Sequence, residues 1–186
     1  MTQLTRFAFS LSQIPSFAEA LTILDELGCT DELVEHCKFV SRIAEEIAKE
    51  CKIKGVEVDV DLAITGGLLH DIGRSKTNSV QHGVIGAELA RNLGLPENLV
   101  LIIERHVGAG IPSEEASSLG LPQKDYMPTS LEERIVAYAD KLADGCRKTT
   151  IDSEIRKLSE TLGSSHPAIQ RLRTLDREMR LLLEDC

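Results

Sequence analysis

A chain of 186 residues, 42% hydrophobic and 27% charged, can bury a sizeable core and is expected to form a single domain over residues 1–186. A net charge of -9 with 3% aromatic residues argues against gripping a nucleic-acid chain by phosphate neutralisation and base stacking, so the expected partner is a small molecule or another protein. Five cysteines (Cys29, Cys37, Cys51, Cys146, Cys186) with no C-x-x-C pair point to a reducing cytoplasm, and no run approaches the ~20 apolar residues of a membrane span.

The opening MTQLTRFAFSLSQIPSFAEA has one Arg, a short apolar patch and A-E-A. Ser, Gln and Pro interrupt the patch, so it is not read as a secretory leader. Beyond it, apolar residues recur with the helical period and no alternating strand stands out. The first helix is expected over about 16–28, from the Ser16 cap to Gly28. The second runs from about Thr30, a cap followed by Asp31 and Glu32, to about Lys52.

After the loop KGVEVDV, Asp59 or Asp61 opens a third helix ending near Asp71, with Gly73 as its terminator. Helix four spans about Ser79 to Asn92, and helix five runs from Pro96 to about Val107. Residues 108–129 carry Gly- and Pro-rich turns and form the one long irregular stretch, of the kind that serves as a lid. Ser130 and Glu133 read as a capping box for a helix from 131 to about 147. Helices over about 152–162 and 167–184 follow. This is an all-α chain, a bundle of about eight helices.

Polar residues intrude on the apolar faces. His36 completes the stripe Leu33, Val40, Ile43, Ile47; His82 sits on the face of Ile85, Gly86 and Leu89; His106 follows Leu99, Ile102 and Ile103. His70 follows Leu68 and Leu69, and Asp140 lies on the face of Val136, Ala137 and Ala143. One inward histidine is ordinarily a hydrogen-bonded core residue. Four of five histidines plus two acids are too many buried polar groups to satisfy separately, and convergence on a cation would partner all of them. His166, before Pro167, is read as a cap or a surface residue.

The order His36, His70-Asp71, His82, His106, Asp140, with its string L-L-H-D-I-G, resembles the HD superfamily of metal-dependent phosphohydrolases, in particular its small stand-alone HDIG-type archaeal and bacterial members. The resemblance covers about residues 30–145, leaving the first helix and the last two as accessories. It implies an HD-domain helical bundle with a metal site between helices. His36, His70, Asp71 and Asp140 are implied as ligands of a first metal. His82 and His106 are implied either as ligands of a second, with Asp71 bridging, or as contacts to the substrate phosphate. The G-Y-P element and paired His-His of the cyclic-dinucleotide branch are missing, since Arg105 precedes His106.

Two imidazoles and two carboxylates suit one or two divalent ions, with Mn, Fe, Co or Ni favoured over Mg. Arg74 and Lys141 are candidate catalytic cations for a phosphate, against the alternative of surface salt bridges; Lys76 and Arg105 are weaker candidates. Asp71 is a candidate proton acceptor, and Asp144 is either an acid supporting the ligands or a solvated helix residue. Cys37 adjoins His36 on another face, and no G-x-S-x-G occurs, which leaves thiol or serine catalysis little support.

The expected activity is hydrolysis of a phosphate ester, of a nucleotide or related small molecule, by metal-activated water. The rival is a non-catalytic metal- or nucleotide-binding regulatory module. The stripe Ile169, Leu172, Leu175, Met179, Leu182 either packs on the domain or forms a homodimer face.

Overall fold

The computed structural model describes residues 13–184. The apolar patch weighed as a leader and Cys186 lie outside the described residues. Nine α-helices are described: α1 Phe17–Glu26, α2 Asp31–Ile53, α3 Val60–Leu69, α4 His82–Asn92, α5 Glu97–Arg105, α6 Ser113–Ala116, α7 Leu131–Lys141, α8 Ile151–Leu162 and α9 Pro167–Leu183. The all-α expectation holds. No described helix is long and apolar enough to cross a membrane.

Capping chemistry sets the starts. Ser16 and Glu19 form a reciprocal capping box, and the side chains of Thr30, Asp59 and Ser130 accept the N–H groups of Leu33, Leu62 and Glu133. The Glu133 carboxylate reaches past its cap to the Thr129 N–H, at 2.8 Å. His166 caps α9 by accepting the Ala168 N–H at 3.3 Å.

The core is centred on α2, α3 and α7, with Val40, Ala44, Leu68, Leu69, Ile102, Ile103 and Val136 almost fully buried. The most extensive helix contact is between α2 and α3. A Cβ on Gly67 would lie 2.8 Å from the Ser41 Cα, so only glycine lets the two backbones meet there. On α9, Ile169, Leu172, Leu175 and Met179 turn inward against α2 and α7, and the Tyr138 hydroxyl donates to Asp176 at 2.8 Å. The stripe packs on its own chain, which removes those side chains from a dimer face.

Several boundaries differ from the sequence reading. The third helix stops at Leu69, and residues Ile72–Ser75 form a 3-10 turn. Gly73 is not a left-handed terminator. It is glycine because a Cβ there would run into the His82 carbonyl oxygen and lie 2.7 Å from the Gly86 N. Helix four starts at His82, after a turn over 79–81.

The helix expected to reach 147 ends at Lys141. A two-stranded antiparallel hairpin follows, pairing Ala143 with Lys148 and Asp144 with Arg147. Gly145, at φ 62°, supplies the first turn position that this hairpin needs, and the Thr149 N–H bonds the Leu142 carbonyl to close it.

The 108–129 stretch carries α6 and its own small core of Ile111, Ala116, Leu121 and Tyr126, packed on Val80, Val84 and Val107. It is moored by ion pairs, Lys124 to the buried Glu104 at 2.7 Å and Arg171 to Glu115 at 2.7 Å.

Candidate metal centre

Four imidazoles and two carboxylates converge where α2, α3, α4, α5 and α7 meet. Asp71, at 3% exposure, is the hub. Its Oδ2 lies 3.9 Å from His36 Nε2 and 3.6 Å from His70 Nε2; its Oδ1 lies 3.2 Å from His82 Nε2 and 3.3 Å from His106 Nε2. Asp140 Oδ1 completes the first half, 3.3 Å from His36 Nε2 and 3.6 Å from His70 Nε2. The six side chains singled out in the sequence are therefore brought together.

Each ring is oriented through its other nitrogen. Nδ1 of His70 faces the Gly67 carbonyl at 2.7 Å, Nδ1 of His82 that of Ser79 at 2.7 Å, and Nδ1 of His106 that of Ile103 at 2.8 Å. Nδ1 of His36 faces the Gly145 carbonyl across the chain at 3.1 Å. A carbonyl can only accept, so all four Nδ1 atoms donate, and in a neutral ring that leaves Nε2 as a bare lone pair. His70 and His106 directly follow α3 and α5, where free helix-end carbonyls need a donor. These carbonyl partners are what the sequence reading missed; the recurring three-residue offset was its only signal, and it could not have found Gly145.

The convergent lone pairs lack the positive charge they require. His82 Nε2 and His106 Nε2 are 3.0 Å apart, a repulsive approach for two neutral imidazoles. The buried His70 Nε2 and Asp71 Oδ1 make no hydrogen bond among the described residues. Such orphans are costly unless a cation joins them. The donors fall into two sets sharing Asp71: His36, His70 and Asp71, extended by Asp140, and Asp71, His82 and His106. Mixed imidazole and carboxylate donors fit a divalent metal.

Without a cation, the buried carboxylates lean on the histidines for positive charge, and Asp71 and Asp140 raise His70 against its burial. Burial opposes ionisation of Asp71, but His70, followed by His106 and His82, holds its carboxyl well below the usual carboxylate range. Burial likewise opposes ionisation of Asp140, and Lys141, then His36 and His70, outweigh it to leave this carboxyl equally low. Burial pushes His106 down to about 4, the neutral state a ligand needs.

The first half of the centre opens to solvent through a cleft of about 520 Å³ whose lining includes His36, Asp71, Arg74, Asn78, Asp140 and Lys141. His82 and His106 do not line it. The 108–129 stretch does not line it either; it packs behind α4, where the Gln81 side chain donates to the Gly120 carbonyl at 3.2 Å.

Arg74 Nε donates to Asp71 Oδ2 at 2.6 Å, leaving its terminal nitrogens for a ligand, and Lys141 Nζ donates to Asp140 Oδ2 at 2.7 Å. The weaker candidates lie elsewhere. Arg105 is engaged by Glu133 and Thr129, Lys76 is exposed, and Asp144 pairs with Lys157 at 2.9 Å. Cys37 is fully buried.

Comparison with known proteins identifies the family. A family model described as HD domain matches residues 33–145. An uncharacterized protein of Methanocaldococcus jannaschii is 54% identical over 168 residues, covering 90% of this chain and 99% of that protein. A tRNA (cytidine(56)-2'-O)-methyltransferase of Thermoplasma volcanium is 40% identical over 142 residues, 76% of this chain but only 40% of the longer relative. The HD domain of L. monocytogenes phosphodiesterase PgpH, solved in complex with cyclic-di-AMP, shares the fold with a TM-score of 0.50 and 15% identity, over 89% of this chain and 98% of that one.

Proposed function

The chain belongs to the HD-domain family, and on that premise we propose that it is a divalent-metal-dependent phosphohydrolase acting on a small phosphate ester, a nucleotide or related molecule, in the cytoplasm. The observation that carries the reading is the set of four imidazoles locked at Nδ1, with their Nε2 lone pairs gathered around one bridging carboxylate. His36, His70, Asp71 and Asp140 would hold the first ion. The lone-pair clash between His82 and His106 favours a second ion there over a direct phosphate contact.

Divalent ions at these positions supply Lewis-acid polarisation of the phosphoryl group and activation of water. Mixed nitrogen and oxygen donors favour Mn, Fe, Co or Ni, with Mg the poorer match.

The chain's own groups do the rest. Arg74 and Lys141, anchored on the ligand carboxylates, present cations at the cleft to receive the phosphate and stabilise charge that develops on it. Asp71, whose two oxygens face all four Nε2 atoms, would be shared between the two donor sets. The cleft is the size of a small-molecule site. The phosphodiesterase name of the L. monocytogenes protein and the methyltransferase name of the longer relative belong to those proteins; in this chain it is the cleft that favours a small phosphate ester.

The test is metal analysis of the purified protein, then turnover of p-nitrophenyl phosphate, bis-p-nitrophenyl phosphate and nucleoside monophosphates with Mn, Fe, Co, Ni or Mg. Turnover abolished by EDTA, restored by metal and lost with bound metal in Asp71→Ala is expected. A protein that binds no divalent ion overturns the reading. Bound metal without turnover, with a nucleotide raising the Tm, favours the regulatory module.

A further inference from the structure

The mouth of the cleft differs from its floor. On the floor, Arg74 and Lys141 are paired with the ligand carboxylates Asp71 and Asp140. Two acids also line the same cleft: Glu32, exposed on the first turn of α2, marks its mouth, and Glu154, half-buried on the first turn of α8, lies near enough to Lys141 for its charge to favour the ammonium. Neither makes an ion pair or a side-chain hydrogen bond among the described residues; Lys157, three residues beyond Glu154, is taken by Asp144.

Glu154 is held in place rather than placed by chance. Thr150 caps α8, the buried Ile151 anchors it, and Glu154 follows Ile151 by one turn on the same side of the helix. Both acids lie outside the residues 33–145 that the family model matches. The cleft is thus built for one anionic group at the depth of the ligands and for low negative charge beyond it.

We infer that Glu154, aided by Glu32, is a specificity-determining residue that restricts the substrate to phosphate esters with a single phosphate and an uncharged, hydroxyl- and amine-bearing remainder. A nucleoside monophosphate has that form. Its phosphate lies among Arg74, Lys141 and the ligands, and its sugar hydroxyls or base amino group face carboxylates that accept hydrogen bonds. A second phosphate meets Glu154 and is repelled, which also disfavours a polynucleotide. This inference rests on the phosphate-ester reading above.

The test measures binding to the metal-loaded full chain at low ionic strength, where exposed charges are least screened. The probes are adenosine 5′-monophosphate and adenosine 3′,5′-bisphosphate. Wild type is expected to bind the monophosphate more tightly. Glu154→Gln tightens the bisphosphate selectively, closing the affinity ratio by about fivefold, the order for two added charges several ångströms from a carboxylate near water; Glu154→Lys closes it further. Asp152→Asn, on the exposed side of the same helix, leaves the ratio unchanged.

A ratio identical in wild type and Glu154→Gln overturns the inference. So does an equal change for both probes, which is what Glu154 acting only through Lys141 would give, and so does failure of wild type to bind either probe. Turnover of p-nitrophenyl phosphate in the same samples reports separately on the phosphate-ester reading.

Discussion

Gly67→Ala probes the packing on which the centre is built. The new Cβ would lie 2.8 Å from the Ser41 Cα and 3.0 Å from the Ser41 N, whereas carbon atoms pack at about 3.5–4.0 Å. Both neighbours are backbone, so no side chain can rotate away and α2 must move off α3. Overpacking costs about 1–3 kcal/mol, and a backbone clash belongs at the upper end. Alanine returns about 1 kcal/mol of helix propensity. The net loss is about 2 kcal/mol, a fall in Tm of about 4–8 °C for a chain of this size.

Gly66→Ala is the matched control. Its Cβ would meet Ile102 and Val136 side-chain atoms, at 2.9 Å and 3.3 Å, which can repack, so its Tm falls less. Thermal unfolding followed by circular dichroism in EDTA measures both. The displacement also moves the Gly67 carbonyl that orients His70, so metal affinity falls with stability. A Gly67→Ala protein as stable as wild type would refute this account of the α2–α3 contact.

Two further outcomes are expected. The burial that pushes His106 down to about 4 from its ordinary 6.5 keeps it neutral in the fold, while the unfolded chain takes up a proton below about 6.5. The metal-free fold therefore loses this contribution as pH falls from 6.5 to 4, by up to about 3 kcal/mol. His70, raised by Asp71 and Asp140 against its burial, acts oppositely, losing its contribution as pH rises. Urea midpoints in EDTA should accordingly fall more steeply toward acid in wild type than in His106→Gln, and parallel slopes would contradict this. Gly145→Val strains a backbone at φ 62° and turns the carbonyl that holds His36. Calorimetry should show metal affinity falling about 10–100-fold, whereas Gly163→Val, strained at φ 88° at the end of α8, should lower the Tm and spare the affinity.

What the sequence showed and what it hid follow from how each feature is written in the chain. Caps at Ser16, Thr30, Asp59 and Ser130 were legible because the side chain that caps is itself a letter. The end of α7 was not. Residues 143 to about 147 read as a continuing helix until the hairpin around Gly145 overrides local preference. Gly73 was read as a terminator, although its reason is contact with α4, a tertiary fact.

In the site, His36, His70, Asp71, His82, His106 and Asp140 stood out because ionisable residues on apolar faces are conspicuous. Their carbonyl partners, above all Gly145 for His36, have no letter of their own. Glu32 and Glu154 were equally hidden, since surface acids are ordinary until a fold sets them at the mouth of a cleft.

If Asp71 joins two metal positions, the protein takes up two ions that both depend on it. Titration of the metal-free protein with Mn(II) by calorimetry tests it directly. Two equivalents per chain are expected in wild type, one when His82 and His106 are both replaced by Ala, and neither bound tightly in Asp71→Ala. No saturable binding to wild type, or unchanged stoichiometry in Asp71→Ala, would contradict it.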